Sequence, residues 1–331
     1  MTPQKSRIRA SLAAIVIGLV FAAYGLIMID RPDLWLWMGV ATLFVLTGVI
    51  GFLMGTSRPG LSIGSIVGAE LVLLYTLTPV IWLISLSFKN GNPDISGKQF
   101  LPTDPSWINF ETVFKFELFQ KALFNSFGIS IISTLISIFL ATFAAYAIAR
   151  LEFKGKKFVL SLALSIAMFP VVALVGPLFD MWRTFGIYDT WIGLIIPYMS
   201  FTLPMSIWTL SAFFREIPWE MEQAAQVDGA TSWQAFRKVI VPLAAPGVFT
   251  AAILTFFFAW NDFVFGISLS STTASIPVPA SLAFFTGASQ FDTPTAAIAA
   301  ASVVVTIPIF LLVLAFQRKI VAGLTSGAVK G

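Results

Sequence analysis

Long stretches without a charged residue run through this chain of 331 amino acids, and they restrict its fold more than any other feature. Each stretch is near or above the roughly 20 residues that a helix needs to cross a bilayer. Helices are expected because every backbone polar group inside a membrane must be paired within its own segment, and the alternating pattern of a barrel strand is absent. The sequence therefore predicts an all-α, polytopic transmembrane helix bundle. The eight predicted spans cover about 11–29, 34–55, 61–88, 122–149, 158–179, 191–214, 241–268 and 293–317.

Composition narrows the possible functions. The chain is 57% hydrophobic and 11% charged, whereas soluble domains carry about 25% charged residues. It has no Cys and no His, which removes disulfides, thiolate chemistry and the most common general base. We therefore expect a protein that is not an enzyme, with no catalytic residues and no metal site.

The distribution of Lys and Arg predicts the orientation. If the N-terminus lies in the cytoplasm and the spans alternate, 14 of the 20 basic residues fall in inside segments and six in outside segments. The positive-inside rule then predicts a multi-pass protein with both termini in the cytoplasm. The basic excess lies next to the membrane lipid, so no nucleic-acid partner is expected.

Two boundaries divide the chain. Residues 56–60 form a turn rich in Gly, Pro and Ser, which predicts an accessory N-terminal hairpin of two spans at 1–60 and a core of six spans at 61–331. Within the core, a polar insert at 215–238 separates two apolar spans. An integral membrane protein has little structural use for such an insert unless a soluble partner docks on it.

The insert has the start and stop signals of two short helices. Pro218 suits the first helical position, and Gly229 suits the left-handed position that ends a helix. Thr231 and Gln234 then have the spacing of a capping box that opens a second helix, which Val241 and Pro242 are expected to end. A fixed bend between two helices fits a rigid docking element, and an amphipathic helix lying at the membrane interface is the alternative.

The same residues carry a family resemblance. The sequence Gln223-Ala-Ala-x-x-Asp228-Gly-Ala230, followed by Phe236 and Pro242-Leu243, resembles the EAA loop of ATP-binding-cassette importer permeases. Residues 260–262 (Trp-Asn-Asp) and the tail 323–331 resemble the second permease of maltose and other carbohydrate importers. Segments 215–219 and 236–246 are particularly similar to the second permease of actinobacterial trehalose importers. The resemblance covers about 61–331. The family's usual Glu is replaced by Gln223, and the hairpin at 1–60 is extra.

The resemblance implies a type I importer permease core in a bacterial cell membrane, paired with a second permease subunit as a heterodimer. Two ATPase subunits would dock on the insert, and an extracellular lipid-anchored sugar-binding protein would deliver the substrate. This chain would bind no cofactor and have no ATPase site, because the partner ATPases use ATP and Mg. Carbohydrate import is expected, with trehalose as the substrate. The alternatives are another disaccharide or a glycerol-phosphate ester, or a secondary transporter coupled to an ion gradient.

Three groups of site residues follow. One group is a loop expected to face the binding protein, and the alternative for this loop is a plain connector. Another group is the sugar path, which includes Asp262, and the alternative for Asp262 is a structural hydrogen-bond acceptor. The resemblance implies an ATPase-coupling group of Glu222, Gln223, Ala224, Ala225, Asp228, Gly229 and Ala230, and a binding-protein loop that includes Phe285, Gly287, Gln290 and Asp292. Polar and aromatic groups near mid-membrane are candidates for the sugar path, namely Asn125, Met168, Phe169, Trp260, Asn261 and Asp262.

Overall fold

The computed structural model describes residues 63–90, 99–285 and 294–326, with a few isolated helical positions between 14 and 49. Helices and turns make up these residues, and no strand occurs among them. The expected hairpin at 1–60 lies almost wholly outside the described residues. Its spans and the boundary near residue 60 therefore stay predictions.

The chain divides into two compact units, residues 1–113 with 289–303 and residues 114–288 with 304–331. We number the helices in chain order. They are α1 (Ile63–Ser87), α2 (Ile108–Lys115), α3 (Glu117–Arg150), α4 (Lys156–Ala167), α5 (Val171–Phe185), α6 (Trp191–Glu216), α7 (Trp219–Val227), α8 (Ser232–Leu243), α9 (Ala245–Asn261), α10 (Val264–Leu269), α11 (Val278–Ser281) and α12 (Thr295–Ser326).

Helices α3 and α6, and the part of α12 at Thr295–Gln317, are each long and apolar enough to cross a membrane. The pairs α4 with α5 and α8 with α9 pass the same test together, so the described residues hold up to five such spans. A shorter apolar helix at Leu71–Ser87 belongs to α1. The helical bundle is thus as expected, and the count of eight spans remains a prediction.

Two pairs of consecutive helices are sharply bent, one inside the predicted span at 158–179 and one where the insert meets the predicted span at 241–268. Helices α4 and α5 meet at 87°, where Pro170 occupies the N-cap of α5, and α8 and α9 meet at 70° around Ala244. Proline has no N–H to donate, so a helix is readily interrupted where one occurs. Pro242 does not end α8 as expected. The helix continues through it to Leu243 after a π-helical turn at Phe236–Ile240.

Close packing of α3, α6 and α9 forms the centre of the larger unit. One buried cluster includes Ile138, Leu210 and Phe214, with small residues such as Ala141 and Ala251 between them. Small residues let helix backbones approach closely, and this contact replaces the hydrophobic effect as the source of stability within lipid. A second buried cluster lies around Trp182, Leu194, Tyr198 and Phe265.

Hydroxyl pairs join the same three helices. Ser137 Oγ and Thr202 Oγ1 lie 3.0 Å apart between α3 and α6, and Ser206 Oγ and Thr255 Oγ1 lie 2.8 Å apart between α6 and α9. Interhelical hydrogen bonds of this kind are worth about 0.6 kcal/mol on average in membrane proteins. Their value here is that each fixes the register of one helix against its neighbour.

In the smaller unit, the end of α1 is fixed to the start of α2. Asn109 Nδ2 donates to the carbonyl oxygens of Ser87 at 2.9 Å and Lys89 at 2.8 Å. Phe88, Trp107 and Phe110 stack around this junction, with ring centroids 4.9–5.2 Å apart. Residues 87–89 and 107–110 are therefore held together by hydrogen bonds and aromatic contacts.

Candidate coupling and transport site

The C-terminal end of α7 is closed by local backbone hydrogen bonds. Gly229 adopts a φ of 89°, which is the left-handed conformation that glycine tolerates. The N–H of Ala230 donates to the Ala225 carbonyl at 2.9 Å, and the N–H of Gly229 donates to the Gln226 carbonyl at 3.0 Å. These two bonds form a Schellman motif, which satisfies carbonyls that the helix end would leave unpaired. Asp228 is the C-cap residue, so its backbone belongs to this closure.

The start of α8 has the predicted capping box. Thr231 Oγ1 accepts from the Gln234 N–H at 3.3 Å, and Gln234 Oε1 accepts from the Thr231 N–H at 2.9 Å. Only one residue, Ala230, separates the glycine that ends α7 from this box. The angle between α7 and α8 is therefore fixed by local hydrogen bonds of residues 225–234.

Helix α7 is held to α3 by buried polar groups. Tyr146 Oη donates to Glu222 Oε1 at 2.5 Å, and Glu222 is only 5% exposed. Arg150, which is 4% exposed, donates from Nη2 to the Ile217 carbonyl, and its guanidinium lies 4.7 Å from the centroid of the Trp219 ring. We call Tyr146, Arg150, Trp219 and Glu222 the anchor cluster. It joins both the start and the first turn of α7 to the last turns of α3.

Aromatic rings support α8 in the same region. Phe236 contacts the ring of Tyr146 at a centroid distance of 4.6 Å and the ring of Phe143 at 5.6 Å. Trp233 stacks against Phe143 at 6.1 Å with an interplanar angle of 14°. Large aromatic contacts of this type resist displacement of one helix relative to another. Both helices of the insert are therefore attached to α3.

Part of the surface of the insert is uncovered. Val227 is 87% exposed, and Trp219, Met221 and Trp233 are each about half exposed. Exposed apolar side chains on a polar segment indicate a surface for a protein or membrane partner.

The predicted ATPase-coupling residues divide into two sets. Glu222 points into the chain and is the one buried member. The assignment of the whole group as an ATPase contact stays a prediction. The exposed members are Gln223, Ala224, Asp228 and Gly229, and Ala225 and Ala230 are half-buried.

Asn125 of the predicted sugar path fastens residues 273–276 to α3. Its Nδ2 donates to the carbonyl oxygens of Thr273 and Ile276, both at 3.1 Å, and its Oδ1 accepts from Trp191 Nε1 at 3.0 Å. The side chain is 3% exposed. All of its hydrogen-bonding positions but one lone pair are engaged by the protein, and a structural role is therefore evident.

Trp260, Asn261 and Asp262 lie where α9 ends. Trp260 is 1% exposed, packs against Phe256 and Phe127, and has no hydrogen-bond partner for its Nε1. Asn261 is exposed and donates to the carbonyl of its own helix four residues back, at 2.8 Å. Asp262 Oδ2 accepts from a backbone N–H in the first turn of α10 at 3.0 Å, which is the structural alternative considered for it.

Met168 and Phe169 lie in the bend between α4 and α5. Met168 is 85% exposed and Phe169 is half exposed, so both are free to contact lipid, substrate or a partner helix. The six candidates for the sugar path thus have different surroundings. Their assignment to that path stays a prediction.

Phe285 is the one member of the predicted binding-protein loop within the described residues. Its ring lies 5.0 Å from that of Phe116 and 5.9 Å from that of Phe119. Gly287, Gln290 and Asp292 lie outside the described residues, as do residues 327–331 of the tail. The roles expected for this loop and tail stay predictions.

Asp189 is a strong polar connection that the sequence did not indicate. It has a φ of 56°, and its carboxylate accepts from Thr272 Oγ1 at 2.5 Å, Ser275 Oγ at 2.7 Å and the Ser271 N–H at 3.0 Å. Burial alone raises the pKa of Asp189, but the hydrogen bonds from Thr272, Ser271 and Ser275 outweigh it, so the pKa lies below its usual value. The run of Ser and Thr at 270–275 was the available signal for this site.

Tyr146 and Arg150 were also missed. In the sequence they are an aromatic residue inside a span and a basic residue at its end, and both have ordinary roles there. A group of three or more Asp, Glu, His or Cys that could hold a metal is not found in the described part of the chain.

Comparisons with known proteins agree with this geometry. The family model described as "Binding-protein-dependent transport system inner membrane component" matches residues 134–324, which is more than half of the chain and includes the insert. A bacterial ABC transporter involved in import of the acidic polysaccharide alginate, solved as a crystal structure, has the same fold. Its TM-score is 0.66 at 23% identity, over 79% of this chain and 99% of that one.

The chain belongs to this family of inner-membrane transport components, and it is a permease of an ABC-type sugar importer. It is 56% identical over 261 residues to the trehalose transport system permease protein SugB of Mycobacterium tuberculosis, covering 79% of this chain and 95% of that protein. It is 36% identical over 271 residues to the trehalose/maltose transport system permease protein MalG of Thermococcus litoralis, covering 80% and 96%. It is 37% identical over 266 residues to the sulfoquinovosyl glycerol permease protein SmoH of Agrobacterium fabrum, covering 80% and 93%.

Proposed function

We propose that this permease imports trehalose and that α7, the coupling helix, passes the movement of cytoplasmic ATPase subunits to the membrane spans. The observation that carries the proposal is the helix–turn–helix at α7 and α8. It is fixed by its own caps, attached to α3 and partly exposed, with Gln223, Val227 and Asp228 on its surface. Trehalose is favoured by 56% identity to a permease whose name assigns that sugar.

The proposed assembly contains a second permease subunit, two ATPase subunits and an extracellular lipid-anchored binding protein. The chain would lie in the bacterial cell membrane with both termini in the cytoplasm. The partner ATPases would bind ATP and Mg. Exposed Gln223, Asp228 and Val227 would then form the centre of the docking surface. Because Gln223 is an amide, its contact with an ATPase would be weaker than that of a carboxylate with an arginine.

A glycerol-linked sugar is the second candidate substrate. It is favoured by 37% identity to the sulfoquinovosyl glycerol permease, and 36% identity to a trehalose/maltose permease keeps maltose open as well. The proposed sugar path includes the exposed residues at the bend, Met168 and Phe169, and the polar end of α9. The loop after Phe285 is proposed to face the binding protein.

ATP hydrolysis by the reconstituted complex tests the proposal. The permease pair, the ATPase and the binding protein from the same operon would be placed in proteoliposomes, and hydrolysis would be measured with trehalose, maltose, sucrose and a glycerol glycoside. We expect selective stimulation by trehalose. Stimulation by another sugar would reject the substrate alone, and transport driven by an ion gradient without any associated ATPase would reject the importer.

A further inference from the structure

The carboxylate of Glu222 points away from the surface on which a cytoplasmic partner would dock. Its Oε1 accepts the Tyr146 hydroxyl, and its Oε2 is buried without a hydrogen-bond partner in the chain. The neighbouring Gln223 is exposed. The two consecutive polar side chains at 222 and 223 therefore have different surroundings, one packed toward α3 and one exposed.

A buried carboxylate costs free energy unless other contacts compensate for its lost hydration. Here the hydroxyl of Tyr146 supplies one short hydrogen bond, and Arg150 supplies a buried positive charge four residues further along the same helix. Arg150 in turn holds the Ile217 carbonyl just before α7 and stacks on Trp219. The cluster thus joins two points of α7 to one face of α3.

We propose that Glu222 is a positioning residue, which fastens the coupling helix α7 to α3 through Tyr146 so that a displacement of α7 moves α3. Direct contact of its carboxylate with an ATPase subunit is not part of this role. The proposal rests on the proposed function and specifies how that function uses Glu222. It also explains how the chain works with Gln223, because Glu222 secures α7 internally while the outward contact relies on shape.

The test compares three single variants in the reconstituted complex. Tyr146→Phe and Glu222→Ala each remove the hydrogen bond, and we expect the sugar transported per ATP hydrolysed to fall by about five- to tenfold, the size of a typical lost hydrogen bond. Glu222→Gln keeps an oxygen that accepts from Tyr146, and we expect a ratio within about twofold of the unaltered protein. The double variant Tyr146→Phe with Glu222→Ala should be no worse than either single variant, because both remove one interaction.

Two matched controls separate this role from a general loss. Glu220→Gln removes an exposed carboxylate from the same turn of α7, and Tyr188→Phe removes a phenolic oxygen far from the insert in the sequence. Both should leave the transport ratio unchanged. Hydrogen exchange of residues 219–227 in the same preparations should rise about fivefold in Tyr146→Phe and Glu222→Ala, because α7 opens more often. It should not change in the controls.

Three results would overturn the proposal. Glu222→Gln could be as damaging as Glu222→Ala while Tyr146→Phe is normal, which would mean that the charge binds a partner directly. The variants could instead reduce only the amount of assembled complex, with an unchanged transport ratio and unchanged exchange. If the unaltered complex shows no sugar-stimulated hydrolysis, the proposed function and the role of Glu222 are rejected together. If the unaltered complex is active, either of the first two results rejects the role of Glu222 alone.

Discussion

Gly229 has a backbone conformation that few other residues adopt. A left-handed φ costs an ordinary L-residue roughly 1–2 kcal/mol, and the space around a Cβ at this position is open. The requirement at this position is therefore conformational and not steric. It lies at the turn that sets the angle between α7 and α8.

We predict that Gly229→Ala lowers sugar-stimulated ATP hydrolysis several-fold without preventing assembly of the complex. The substitution costs roughly 1–2 kcal/mol of local strain, which shifts the turn away from its docking angle. Gly229→Asn is the matched variant, because Asn tolerates the left-handed region better, and it should retain more activity. Equal activity of the two variants would contradict the conformational explanation. Hydrolysis per assembled complex is the measurement.

Asp189 acts as an anchor for the segment 270–276. Its carboxylate gathers hydrogen bonds from Thr272, Ser275 and the backbone of Ser271, and its own N–H donates to the Leu269 carbonyl at 3.1 Å. Since the pKa of Asp189 is lowered in the folded protein, the unfolded chain binds a proton more readily. This contribution to stability is therefore present above the ordinary pKa of about 4 and is lost as the pH falls through the folded value.

We predict that Asp189→Asn destabilises the protein by about 1–2 kcal/mol at neutral pH, because hydrogen bonds to a charged acceptor are lost. The difference from the unaltered protein should shrink as the pH falls below about 4, since the unfolded chain takes up a proton first and the folded carboxylate follows at lower pH. Thermal unfolding in detergent across this range is the measurement. Asp180→Asn, which alters an exposed carboxylate on α5, should have little effect, and a constant difference at all pH values would contradict the prediction.

At the scale of helices, the contact between α6 and α9 depends on the absence of a side chain. A Cβ placed on Gly247 would lie 2.3 Å from Cγ of Phe213, which is well inside van der Waals contact. Cγ lies near the root of that side chain, so the ring has little room to move away. The two helices therefore approach more closely than any residue other than glycine allows.

We predict that Gly247→Ala lowers the free energy of unfolding by about 1–3 kcal/mol through overpacking. The double variant with Phe213→Ala should lose less than the sum of the two single variants, because Phe213→Ala removes the Cγ and the ring that the new methyl group meets. Gly176→Ala is the control, since no atom lies within 4 Å of a Cβ at that position in α5. Additive losses in the double variant would show that the two residues do not meet. Thermal unfolding of the purified complex is the measurement, made on the unaltered protein, both single variants, the double variant and the control.

The angles within the bent pairs, α4 with α5 and α8 with α9, are also decided at the scale of helices. In both pairs a proline lies at the start of the second helix, and the first helix ends three residues before that proline. The sequence shows these prolines and does not show the angle, because a proline inside a membrane helix is compatible with a slight kink or a sharp break. Contacts with neighbouring helices decide between the two.

For the whole molecule, the orientation in the membrane is open to a direct experiment because the chain contains no cysteine. We predict that a cysteine at Gln226 reacts with a membrane-impermeant maleimide only after the cells are permeabilised, and that a cysteine at Phe185 reacts in intact cells. Both positions are exposed, so accessibility to the reagent depends on the side of the membrane. The unaltered protein is a control that cannot be labelled. The reverse pattern would contradict the orientation predicted from Lys and Arg.

Local chemistry explains what the sequence determined by itself. The helical bundle follows from the length and polarity of the apolar stretches, and the turn at Gly229 and the capping box at Thr231 depend on residues within a few positions of one another. The family resemblance followed from the same short segment. These features were predictable because all the groups that form them are neighbours in the chain.

Tertiary structure alone decided which way the polar side chains face. Glu222 meets Tyr146 across 76 positions of sequence, Asp189 meets Thr272 across 83, and Asn125 meets the Thr273 carbonyl across 148. Helical periodicity predicts which face of its own helix carries Tyr146, Asn125 or Glu222. It does not state which distant segment packs there, because that depends on the simultaneous fit of several helices.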